Sequence, residues 1–160
     1  MKAIILFSHG SVLCGAGENL KALARQMQSR GDADIIEVGF LNYSSPTFSE
    51  SFISCVEKGA TEIIVAPYFL VAGKFVKVDL PPQIEAMRAK FPDMKVVVAD
   101  AMRFHPTLAD AILSCASRAQ TPNNWRDILN TAPQFCRGSE ECPLYGTEKC
   151  PATANAGRGQ

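Results

Sequence analysis

Apolar positions along this chain follow two alternating periods. Residues 3–7, 35–40, 62–66 and 95–99 are short, nearly continuous apolar runs rich in Ile, Val and Phe. They lack strict alternation, which predicts strands buried on both faces, as in a parallel sheet covered by helices. Between them the period lengthens. Leu20, Leu23, Ala24 and Met27 fall at i, i+3, i+4 and i+7, predicting a helix over 18–30 that Gly31 ends. Ser45 followed by Pro46 reads as an N-cap with proline in the first helical position, ahead of a buried face of Phe48, Phe52, Ile53 and Val56 that runs to Gly59. Asp79 is placed to cap a third helix with Ile84, Met87 and Phe91 inward, Pro81 and Pro82 in its first turn and Pro92 at its end. A fourth begins near Pro106 or Thr107 and is expected to bury Leu108, Ala111, Ile112 and Cys115.

The repeating unit is therefore βα, four times over. It predicts an α/β fold, a four-stranded parallel sheet flanked by helices with right-handed crossovers, whose ligands bind at the carboxyl ends of the strands. After about residue 120 the pattern stops. Thr121-Pro122-Asn123-Asn124 reads as a linker, and Pro, Gly, Cys and polar residues dominate the remainder of the chain. The expected division is an α/β domain over 1–120 and a cysteine-containing tail over 121–160.

Length and charge narrow the partners. One domain of 160 residues can bury a core without disulfides. Sixteen basic and sixteen acidic residues cancel, which argues against nucleic acid as the main partner. No apolar stretch approaches the ~20 residues that span a bilayer. The N-terminal run stops at His9-Gly10 without a small-residue cleavage site, so it reads as a strand rather than a signal, and the expected location is the cytoplasm. In that compartment six cysteines read as thiols or metal ligands.

Candidate chemistry collects where the predicted strands end. The first delivers Ser8-His9-Gly10-Ser11; His9 is either a structural residue or a ligand, and its place in a βα turn favours the ligand. The second delivers Asn42, Tyr43, Ser44 and Ser45 ahead of a helix N-terminus that favours anions, with Ser45 equally readable as a plain cap. The third leads into an apolar segment, residues 67–81. It either covers a flat apolar ligand, packs on its own core or forms a subunit interface. The fourth brings Arg103 and the only other histidine, His105, to the same edge.

Four fragments in order carry a resemblance: HGS after the first strand, FLxxxxP after the second, PYFLxxGxxVxxDLP after the third and HP at the fourth helix. Over residues 1–119 they resemble the small single-domain sirohydrochlorin chelatases, which insert cobalt, nickel or ferrous iron into a tetrapyrrole and pair as homodimers. The resemblance implies His9 as metal ligand and proton acceptor. It implies a substrate-binding segment of Leu70, Val71, Ala72, Gly73, Lys74 and Phe75, with Ser11, Asn42 and Ser45 beside it. A divalent ion, Co²⁺, Ni²⁺ or Fe²⁺, would be the second substrate. Two departures stand out. The family's second histidine, in GxHV, is Phe75 here, and the glutamate of its FLE is Asn42. His105 or Cys14 are the available substitutes as second ligand. With both departures in place, two other readings stay open: an inactive carrier of a tetrapyrrole or its metal complex, and an accessory protein whose working part is the tail.

That tail holds Cys136, Cys142 and Cys150 spaced C-x5-C-x7-C, two of them followed by proline. The arrangement is readable as a site for zinc or an iron–sulfur cluster, lacking a local fourth ligand, or as free thiols. Cys55 and Cys115, at helical positions, read as buried small residues.

Overall fold

The computed structural model describes residues 1–10, 16–42 and 44–119. Its elements run β1 (Lys2–Ser8), α1 (Ala16–Arg30), β2 (Ile35–Phe40), α2 (Phe48–Glu57), β3 (Glu62–Pro67), α3 (Leu80–Lys90), β4 (Lys95–Val98) and α4 (Pro106–Ala116). The four strands form one parallel sheet in the order β2-β1-β3-β4. Ala3 pairs with Ile35 on one side and Ile63 on the other, so β1 is central and its C-terminal end has a neighbour on each flank. The chain falls into two compact units. The first carries the sheet and runs as far as Arg103, and the second takes up the chain from Phe104 and includes α4.

Side-chain alternation along β1 feeds two cores. Ala3, Ile5 and Phe7 meet Phe48, Phe52, Ile63, Val65, Leu80, Ile84 and Met87 beneath α2 and α3. Leu6 packs with Leu20, Ala24, Val38 and Phe40 beneath α1. Phe7, Phe48 and Phe52 are wholly buried, and each removed to alanine would cost about 3–5 kcal/mol. Gly39 lets α2 approach β2 closely: a Cβ there would lie 3.0 Å from the Phe48 backbone.

Several local expectations are corrected. The cap of α2 is Thr47, not Ser45. Its hydroxyl accepts from the Glu50 amide while the Glu50 carboxylate accepts from the Thr47 amide, a reciprocal capping box that Ser45 lies too early to make. Asp79 makes no capping bond. It sits in helical conformation at the end of a π-helical turn, Phe75–Asp79, that runs directly into α3, so the stretch expected as one long loop is helical from Phe75 onward. β4, an edge strand like β2, is not doubly buried: Val97 and Val98 are exposed where the described residues leave them uncovered. In α4 the anticipated inward stripe is not buried: Ala111, Ile112 and Cys115 are exposed and Leu108 half-buried. Among the described residues no helix is long and apolar enough to cross a membrane.

Candidate functional site

β1 ends at Ser8 and its register with β2 continues one step into the loops. Leu41 N–H donates to the Ser8 carbonyl at 2.9 Å and Asn42 N–H to the His9 carbonyl at 3.0 Å. Gly10 then turns away at φ +79°, with the Asn42 carbonyl so close that an added Cβ would lie 1.7 Å from its oxygen. Only glycine fits both the left-handed backbone and the contact. The consequence is positional: His9 and Asn42 are tied together by backbone at the carboxyl edge, with the His9 side chain exposed.

On the other flank, Tyr68 N–H donates to the Phe7 carbonyl at 2.7 Å, which draws the end of β3 toward the same place. Phe69 comes next, and here the aromatic residues assemble. The His9 imidazole stacks on the Phe75 ring at 5.2 Å between centroids and 13° between planes. Phe69 lies 5.9 Å from each of them, its ring inclined 28° to Phe75 and 40° to His9. Phe69 also touches Phe7, at 6.0 Å, and Phe7 meets Phe48 edge to face, so the surface cluster is anchored in the core beneath α2. Around it Tyr68, Leu70 and Val71 are exposed, Leu70 and Val71 by 59% and 68%. The edge thus presents an imidazole on an aromatic shelf with an apolar border.

Most of the expected substrate segment is open to solvent. Leu70, Val71, Gly73 and Lys74 are exposed, Ala72 is half-buried, and Phe75 opens the π-helical turn with 38% of its surface free. Asn42 and Ser45 are exposed in the β2–α2 connection, where Phe40 N–H donates to the Pro46 carbonyl and the Ser45-Pro46 bond is cis. His105 belongs to the second unit. It is the N-cap of α4, its Nδ1 accepting from the Thr107 amide at 3.4 Å and lying 2.8 Å from the Thr107 hydroxyl. Ser11, Cys14, Cys136, Cys142 and Cys150 lie outside the described residues. Among the described residues no group of three or more His, Cys, Asp or Glu side chains converges on one point.

The part of Phe69 went unread in the sequence, and Arg103, expected at this edge, was read without its backbone conformation or its partners. Phe69 completes the shelf, and its signal was its place in an aromatic pair, Tyr68-Phe69, directly after a strand. Arg103 carries a backbone φ of +46°, the single non-glycine residue with positive φ among those described. Its amide donates to the Leu70 carbonyl and the Met102 amide to that of Phe69, both at 2.9 Å, strapping the segment after β4 onto the shelf. Its Nε donates to Asp100 at 2.7 Å, and this bond is the main cause holding the Asp100 carboxyl below its ordinary range.

Comparison with known proteins bears on this edge. The sirohydrochlorin ferrochelatase of Priestia megaterium is 27% identical over 113 residues, 71% of this chain and 42% of that protein. The sirohydrochlorin cobaltochelatase of Methanopyrus kandleri is 33% identical over 84 residues, 52% of this chain and 59% of that one. The chain therefore spans about half the length of these curated relatives. The sirohydrochlorin chelatase SirB from Bacillus subtilis subspecies spizizenii, solved with cobalt, superposes with a TM-score of 0.68 over 79% of this chain and 58% of its own, at 24% identity, a likeness of fold. The sequence model of the CbiX family matches residues 3–119, and the chain belongs to that family.

Proposed function

We propose that this protein inserts a divalent metal, Co²⁺, Ni²⁺ or Fe²⁺, into sirohydrochlorin or a closely related tetrapyrrole. The observation that carries the reading is the His9 imidazole set on the Phe69–Phe75 shelf at the carboxyl edge of the sheet. A tetrapyrrole is flat and apolar in its plane and charged at its rim, which suits exposed rings bordered by Leu70 and Val71. As a metal enters, two pyrrole N–H protons must leave. A neutral imidazole can bind the incoming ion through one nitrogen and, once the ion has passed to the macrocycle, accept one of these protons on the freed nitrogen while the other leaves to water; His9 is the group at this edge able to do both. Asn42, neutral, orients by hydrogen bonding but accepts no proton. Phe75 holds the macrocycle where a second ligand would otherwise stand. The two names borne by the relatives, cobaltochelatase and ferrochelatase, support the metal class without choosing within it. A homodimer in the cytoplasm accompanies this reading, and Cys136, Cys142 and Cys150 would hold zinc or an iron–sulfur cluster, testable by metal analysis of anaerobically purified protein.

The Phe75 stack on His9 also favours a second reading, a carrier that binds a tetrapyrrole without metallating it. One experiment separates the two: anaerobic visible spectra of the full chain with sirohydrochlorin, before and after each metal, against a protein-free control and His9→Ala. Metallation faster than the control and lost in His9→Ala supports the chelatase. A spectral shift on binding without acceleration by any of the three metals rejects it in favour of the carrier.

A further inference from the structure

Left-handed backbone at a residue with a Cβ is unfavourable and persists only where its surroundings enforce it, most often at sites of function. Arg103, at φ +46°, is such a residue, and it adjoins the aromatic shelf. Its amide is fixed by the Leu70 carbonyl and its Nε by Asp100. Asp100 is itself held, accepting from the Ala101 amide at 2.8 Å through its other oxygen. Among the described residues the two terminal guanidinium nitrogens have no partner, and the side chain is 59% exposed. The strained backbone, the strap and the ion pair therefore converge on one outcome: a planar, permanently charged fork, held at its Nε by Asp100 and open at its two Nη groups, on a residue whose backbone is bonded to the border of the shelf. Such a fork matches a carboxylate in two parallel hydrogen bonds.

Resting on the tetrapyrrole reading above, we propose that Arg103 binds a rim carboxylate of the macrocycle and selects polycarboxylated tetrapyrroles over those with few acidic side chains, Asp100 being the residue that positions it. No part of the metallation step is needed for this role, so metal-free porphyrins of graded charge are the probes: uroporphyrin with eight carboxylates, coproporphyrin with four and deuteroporphyrin with two. Each is titrated against the full chain by fluorescence quenching at low and high salt.

For the native protein the affinity should fall along that series, and more so at low salt. Arg103→Gly removes the fork while allowing the φ observed. It should weaken uroporphyrin about fivefold, leave deuteroporphyrin within about twofold, and change the melting temperature little, relief of the left-handed strain offsetting the lost bond to Asp100. Arg103→Lys should recover part of the loss. Because Arg103→Gly also unmasks the Asp100 carboxylate, the double variant Asp100→Asn with Arg103→Gly keeps the local net charge of the native pair, and the loss should persist there. Equal weakening of all three porphyrins, or recovery in the double variant, would overturn the role for Arg103 while leaving the tetrapyrrole reading intact. Failure of the native chain to bind any of the three would overturn both.

Discussion

The imidazole of His9 and the ring of Phe75 lie nearly parallel, 5.2 Å apart, at the carboxyl end of β1. A second imidazole in place of the phenyl ring would bring another nitrogen beside His9, and with the new ring rotated out of the stack, so that both in-plane lone pairs converge, the two could share one metal ion through bonds of about 2.0–2.1 Å. Phe75→His should therefore raise the affinity of the metal-free protein for Co²⁺ by about tenfold or more, read from the cobalt absorption bands. An unchanged titration would mean that the two rings do not face a common metal position. Phe75→Ala tests the other half of the arrangement. Losing the exposed ring should weaken sirohydrochlorin binding by about 1 kcal/mol, roughly fivefold, whatever metal is present.

Gly10 determines where His9 stands. Gly10→Ala places a methyl group on the Asn42 carbonyl and requires φ +79° of an alanine. The strand ends must separate, at a cost of about 2–4 kcal/mol. Urea unfolding should show that loss. Because the His9 carbonyl and the Asn42 amide are bonded to each other, any folded remainder should also bind sirohydrochlorin poorly. Normal stability in Gly10→Ala would show that the turn relaxes without strain.

How much of this could be read from the chain depended on whether a residue's neighbours are near it in sequence. The strands, the helix ended by Gly31 and the burial of Phe48 and Phe52 follow from local period, and the parallel sheet follows from their alternation. His9 was legible because a βα turn places its residue at the edge whatever lies opposite. The failures are of another kind. Choosing Ser45 over Thr47 as cap needed the reciprocal bond from Glu50, a pairing that either serine or threonine can begin but only spacing completes. The exposure of Val97, Val98 and the α4 stripe depends on which faces other elements cover, which no period encodes. Phe69 owes its place to a ring contact with Phe7, and the left-handed turn at Arg103, itself expected at this edge, is held by a bond to Leu70, in each case between residues far apart in the chain.

Acid should weaken this protein in part through a small set of surface carboxylates. Glu50 is held below its ordinary pKa by hydrogen bonds from Thr47, Glu62 chiefly by its bond from Lys95, and Asp100 chiefly by its bond from Arg103. In each the folded value lies under the unfolded one. The stabilisation is therefore complete above the ordinary carboxylate range and is lost as pH falls through the folded values. Melting temperature should be flat near neutrality and drop below that range. Thr47→Ala should cost about 1 kcal/mol at neutral pH through loss of the cap and should flatten the Glu50 part of the acid drop. An acid profile identical to the native one would assign the drop to other groups.

The two cysteines of the described helices should differ sharply in reactivity. Cys55 is wholly buried on α2, and burial above all, with the nearby Glu37 carboxylate adding and Lys58 opposing, pushes its thiol up to about 12. Cys115 is exposed on α4, with the Arg118 guanidinium 3.6 Å from its sulfur. Since the thiolate is the reacting species, iodoacetamide at mildly alkaline pH should alkylate Cys115 and spare Cys55 until denaturant is added, as peptide mass spectrometry would resolve. Modification of Cys55 in native buffer at a comparable rate would require α2 to open faster than the reagent reacts. The aromatic shelf rests on Phe7, which packs against Phe48 of that helix, so such opening would also loosen the support of His9.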